Sequence, residues 1–147
     1  IGGGFGVAYY NNEENLDINV FEELNNIFNQ NDRFNFFIES GRFLTAKSGI
    51  FITKVIDIKT NFNQKFILLN GGTNFFAIHN KSIGFKFAPI RVLYKKNKDL
   101  EKVTLVGNLC TTIDILAKDI YLPKIQIGDY ILFYQAGAYG YSASPIL

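Results

Sequence analysis

The chain has one cysteine, no methionine, no tryptophan and three prolines among its 147 residues. A single thiol excludes a disulfide framework and any zinc site built on cysteines. Net charge is equally thin, with 15 Lys and Arg against 13 Asp and Glu, a balance of +2. A nucleic-acid surface needs a clustered basic face, and no such cluster runs through the sequence. No apolar run reaches the roughly 18 residues of a membrane span. The opening IGGGFGVAYY has neither the basic start nor the cleavage pattern of a secretory signal. These absences lead us to expect a cytoplasmic chain with no nucleic-acid and no membrane partner. With no initiator methionine, the sequence reads as a piece of a larger protein.

What is present is apolar. A content of 48% hydrophobic and 19% charged residues is that of a folded domain. At this length such a domain buries about 70% of its unfolded surface. The abundance of Ile, Phe, Asn and Lys reads as genomic base bias, not as a prion-like tract. After a polar stretch from Asn11 to Asn15, the segment LDINVFEELNNIF sets Val20, Leu24, Ile27 and Phe28 on one helical face. Asp17 is the expected N-cap, and Glu22 and Glu23 suit the positive end of the helix. From Phe34 the pattern changes to short β-branched and aromatic runs at 34–38, 50–56, 65–69, 90–94, 102–106 and 130–134. Asn61 to Asn63, Gly71-Gly72 and Asn97 to Asp99 mark turns between them. One helix followed by strands this frequent predicts a mainly β fold, a barrel or sandwich, with no internal repeat.

Four clusters carry candidate chemistry. Gly2-Gly3-Gly4-Phe5-Gly6 lets backbone amides approach a phosphate with no Cβ in the way, and it also reads as a simple tight turn. It fits neither the dinucleotide nor the P-loop spacing. Glu39-Ser40-Gly41-Arg42 places a carboxylate and a guanidinium around a glycine; an exposed ion pair in a solvated turn is the alternative. Gly107 to Asp114 contains Cys110, which by itself reads as a small buried hydrophobe. Gln135 to Tyr141 is a run of small residues presenting an aromatic. His79, the only histidine, lies in a polar segment and reads as a surface residue.

In their order along the chain, Gly-Gly-Gly-Phe, Glu-x-Gly-Arg, Gly-x-x-Cys-x-x-x-Asp, Gly-Asp-Tyr and Gly-Ala-Tyr resemble the C-terminal half of the fold-type III pyridoxal-phosphate decarboxylases. That family includes diaminopimelate, ornithine and arginine decarboxylases and shares its fold with alanine racemase. The likeness runs from Gly2 to Pro145. It implies that residues 1–30 are the last βα unit of a TIM-like barrel, and that 31–147 form an alanine-racemase-like C-terminal β-barrel domain. The lysine that forms the internal aldimine would lie upstream, so this chain alone should be inactive.

The resemblance also assigns roles. Gly2, Gly3, Gly4, Gly41 and Arg42 match positions around the phosphate of pyridoxal 5'-phosphate. Glu39 matches the carboxylate beside its pyridine nitrogen, where a negative charge keeps the ring an effective electron sink. Tyr139 matches a tyrosine lining the cofactor site. Cys110 matches a thiol that enters the partner subunit's site in a homodimer with shared active sites. There it protonates the α-carbon after decarboxylation through a quinonoid intermediate. Thr111 and Asp114 match the substrate end of the pocket, and no metal is implied. Thr111 departs from the acidic residue that relatives use for a distal amine, so a simple diamino acid lacks its countercharge. The pattern is more similar to the decarboxylase of a glutamyl group on an acyl carrier protein and to exosortase-associated decarboxylases. Ser40 stands where many relatives have proline, a change expected to alter loop stiffness. Diaminopimelate decarboxylation, a non-catalytic regulator of the same fold, a racemase and an unrelated β-barrel binding module are the competing readings.

Overall fold

The structure is a computed structural model that describes residues 5–8, 14, 16–17, 19–31, 33–76, 89–96 and 98–144. Gly2 to Gly4, His79 and Pro145, singled out above, lie outside the described residues. The elements follow in the order α1 (Val20–Asn29), α2 (Gly41–Thr45), a 3-10 turn (Ala46–Ser48), β1 (Phe51–Asn61), β2 (Gln64–Leu69), β3 (Ile90–Val92), β4 (Leu100–Val106), β5 (Ile115–Pro123) and β6 (Tyr130–Phe133). No helix among the described residues is long and apolar enough to cross a membrane.

The strands form one sheet in the order β3-β6-β1-β2-β4-β5. Strand β1 is long enough to serve two neighbours. Its first half, Phe51 to Lys54, pairs with β6, and from Val55 onward, across a bulge between Val55 and Asp57, it pairs with β2. The change of partner bends the sheet, and the outer strands β3 and β5 come into contact, so the sheet nearly closes into a barrel. Strands β1 and β2 meet through Phe62 and Asn63, both in the left-handed region (φ 46° and 61°), the geometry of a two-residue hairpin turn. Strands β2 and β4 run parallel over three residue pairs. The remaining contacts between neighbouring strands are antiparallel.

Alternation places Val55, Ile67, Leu69, Val103, Leu105, Ile131 and Phe133 in one buried core. Phe51 stacks on Phe76 at 5.1 Å, and Phe76 packs on Phe133 at 5.3 Å. Three expectations differ from the structure. Residues 34–38 form no strand, because Phe36 stacks on Phe28 of α1 at 4.4 Å and ties the segment to the helix instead of a sheet edge. Asp17 is not the N-cap of α1; Asn19 holds that position, and the Asp17 side chain accepts the Asn19 amide at 3.0 Å. Strand β5 is additional. Its alternation is broken by an outward bulge where Asp119 has φ 57°, which hides the period of two that marks a strand.

Candidate functional site

Glu39 and Ser40 lie immediately ahead of α2, and Gly41 and Arg42 form its first turn. Together with Phe5, Phe43 and Tyr139 they line a cavity of about 290 Å³. The rings of Phe5, Phe21 and Phe43 pack with centroids 5.3–6.1 Å apart and hold the N-terminal segment, α1 and α2 in one cluster.

Tyr139 reaches this cavity from a remote part of the sequence because the 135–140 loop docks on the 3-10 turn. The Ala136 amide donates to the Gly49 carbonyl at 2.9 Å, and the Gly137 amide to the Ala46 carbonyl at 3.1 Å. Gly137 lies so close to the Thr45 carbonyl oxygen that a Cβ there would overlap it. A Cβ on Gly49 would in turn come within 2.8 Å of the Gly137 nitrogen. Tyr139 is held in the left-handed region at φ 64°. That conformation is costly for a bulky residue and persists only where the surroundings impose it. Its hydroxyl is 3.9 Å from the point a Cβ on Gly41 would occupy. The buried Gln135 donates from Nε2 to the Ala8 carbonyl at 2.8 Å, joining the loop to the segment that follows the glycine run.

The second group of candidates lies on the connection between β4 and β5. Cys110 and Thr111 are exposed on it. Asp114 is 3% exposed, and both of its carboxylate oxygens accept from protein donors. Oδ1 accepts the Thr73 amide at 2.7 Å and the Thr73 hydroxyl at 3.0 Å; Oδ2 accepts the Leu109 amide at 2.9 Å. Hydrogen bonds to a charged acceptor contribute about 1.5–3 kcal/mol each. Gly72 and Gly107 flank the carboxylate so closely that a Cβ on either would overlap it. The structure thus gathers Glu39, Gly41, Arg42 and Tyr139 around one cavity and sets Cys110, Thr111 and Asp114 on a loop that does not line it. Phe43 and Thr73 have no mark in the sequence that distinguishes them from packing or loop residues, whereas Phe5 and Gln135 belong to the first and last of the four clusters. Ser40 was marked by its departure from the resembled pattern.

Six strands curl almost into a barrel, and a polar and aromatic cavity lies beside the helix that leads into them. Residues 10–137 match the family model described as "Pyridoxal-dependent decarboxylase, C-terminal sheet domain", and the chain belongs to that family. It is 33% identical to an L-glutamyl acyl-carrier-protein decarboxylase of Niallia circulans, over 99% of this chain and 37% of the relative. It is 35% identical to a decarboxylase of an alanyl-carbamoylmethyl 2-hydroxybutanedioate from Staphylococcus aureus, over 98% of this chain and 38% of the relative. A crystal structure of diaminopimelate decarboxylase from Helicobacter pylori, complexed with L-lysine, superposes with a TM-score of 0.77 at 32% identity, covering 98% of this chain and 35% of that one. The chain therefore spans under two-fifths of the length of the curated relatives it matches.

The family's cofactor is pyridoxal phosphate, and the cavity suits it. The Ser40 hydroxyl is buried with no hydrogen-bond partner among the described residues, a polar atom that a bound group would satisfy. Arg42 offers a guanidinium for a phosphate dianion, and Glu39 a carboxylate for a pyridinium.

Proposed function

We propose that this chain is the C-terminal part of a pyridoxal-phosphate-dependent amino-acid decarboxylase. In this reading it forms one wall of the enzyme's own cofactor site and lends a proton donor to the site of a second subunit. The observation that carries it is the convergence of Glu39, Arg42, Tyr139 and the unpartnered Ser40 hydroxyl on one cavity. Residues 1–30 would complete the upstream barrel and 31–147 the sheet domain.

Arg42, with the amides of Gly2 to Gly4 and Gly41, would hold the phosphate. Glu39 would keep a proton on the pyridine nitrogen, and the Tyr139 ring would bound the cofactor. The bound cofactor supplies an electron sink for the pair released as the bond to the departing CO2 breaks. Cys110 would then deliver its Sγ proton to the carbon that lost CO2, and the thiolate would regain a proton from water. Exposure of Cys110 on a loop apart from the cavity supports its service in a partner's site.

Thr111 presents a hydroxyl where a diamino substrate would need a carboxylate, which favours an amino acid without a distal amine, free or carried on a protein. The similarity to the Niallia circulans enzyme points the same way. Diaminopimelate decarboxylation is the second reading, favoured by the structural likeness to the Helicobacter pylori enzyme. The test is Glu39→Gln in the complete protein. Measured by CO2 release from acidic, diamino and carrier-tethered amino acids, turnover should fall by a hundredfold or more while cofactor affinity changes little. Equal loss of both would make Glu39 a structural residue, and the preferred amino acid decides between the two substrate readings.

A further inference from the structure

Asp114 is a buried carboxylate placed four residues after an exposed thiol, and among the described residues it forms no salt bridge. Two separate stretches of chain converge on it. Thr73 belongs to the turn that follows β2, and Leu109 to the connection between β4 and β5. The two carboxylate oxygens accept from both, so Asp114 clamps the cysteine loop onto the neighbouring turn. The loop's own bonds act in the same sense. The Gly107 amide donates to the Asp114 carbonyl at 3.0 Å, and the Thr111 amide to the Leu109 carbonyl at 2.9 Å. A Cβ on Gly72 or Gly107 would overlap the carboxylate. With both oxygens accepting from the protein and 3% of the residue exposed, the side chain presents little surface to a substrate.

We infer that Asp114 is a positioning residue. It fixes the backbone on either side of Cys110 so that the thiol projects from the loop in one orientation, and it acts on the reaction through Cys110 alone. The functional half of this inference rests on the proton-donor reading of Cys110; the clamp itself does not. An asparagine keeps the shape but replaces one acceptor oxygen with an NH2 group, which must face an N–H donor from Thr73 or Leu109.

The test compares Asp114→Asn, Thr73→Val, Thr73→Ser and Cys110→Ala in the complete, cofactor-loaded protein. Amide hydrogen exchange across 107–114 should accelerate at least tenfold in Asp114→Asn while the β4 and β5 core amides keep their protection. Turnover should fall at least tenfold with cofactor affinity unchanged. Decarboxylation in heavy water should lose stereochemical purity at the deuterated carbon, as in Cys110→Ala. Thr73→Val should shift each readout in the same direction by a smaller factor, and Thr73→Ser should restore it. If Asp114→Asn fails to fold, the Thr73 pair decides. Wild-type protection of 107–114 in these variants overturns the clamp. A loosened loop with turnover and stereochemistry intact, where Cys110→Ala destroys both, overturns the positioning role. If Cys110→Ala itself keeps turnover and stereochemistry, the proton-donor reading falls and takes the functional half with it, and the exchange data separate that failure from a failure of the clamp.

Discussion

A methyl group at residue 137 would overlap the Thr45 carbonyl oxygen, and that contact shows how narrowly the Tyr139 loop is seated. Neither partner can yield cheaply, since one is backbone within α2 and the other lies between two docking hydrogen bonds. Gly137→Ala should therefore cost about 1–3 kcal/mol, the usual range for overpacking a close contact. A thermal melt would show this as a drop of several degrees. Cofactor affinity should fall too, because the loop that lifts away carries Tyr139. Gly6 has open space around the same virtual methyl, so Gly6→Ala serves as the control that leaves the melt unchanged.

Among the elements, the parallel contact of β2 with β4 is short, and one ion pair braces it. Lys65 on β2 donates to both Glu101 oxygens at 2.7 and 2.8 Å, and the Ile125 amide donates to Oε1 at 3.1 Å. Burial by itself raises the Glu101 pKa. The Lys65 bond, the Ile125 amide and the charges of Lys65 and Lys124 outweigh that and hold it below the ordinary glutamate value. A carboxyl depressed on folding contributes its stability above the unfolded pKa and loses it as pH falls through the folded one. Glu101→Gln should thus cost about 1 kcal/mol at neutral pH. The gap to wild type should close as pH drops below about 4. Urea unfolding at pH 7 and pH 3 measures both, and a gap that persists at pH 3 assigns the loss to packing.

For the whole molecule, the separation of the Glu39–Arg42–Tyr139 cavity from the Cys110 loop has a consequence in the proposed dimer. Each active site would take its cofactor wall from one subunit and its thiol from the other. Cys110→Ala should be strongly slowed, and a variant lacking the lysine that the family resemblance places in the upstream half should be inactive. Mixing them should restore roughly a quarter of native activity, since about half the dimers become hybrids with one intact site of two. Verified hybrids with no recovered activity would show that Cys110 does not act across the interface.

How far the sequence reaches is clearest at particular residues. The strands at 50–56, 65–69, 102–106 and 130–134 were legible because each is a short β-branched and aromatic run set off from its neighbours by turn residues. The ordered glycine motifs were enough to indicate the family, because each combines residues that few loops need together. The chain order could not show that Tyr139 meets Gly41, since that contact depends on the docking of one loop on another about ninety residues away. Strand β5 is hidden in the sequence by its bulge, and residues 34–38 resemble a strand there because aromatic residues suit a sheet and a helix-packed loop equally well. Asp114 shows the division most directly. Its spacing from Cys110 is a property of the sequence, but the two backbone amides its carboxylate accepts were decided by which turn folded beside it, and that turn follows β2. Periodicity and local chemistry are carried along the chain, whereas the partner of a buried polar group is chosen only when distant segments pack.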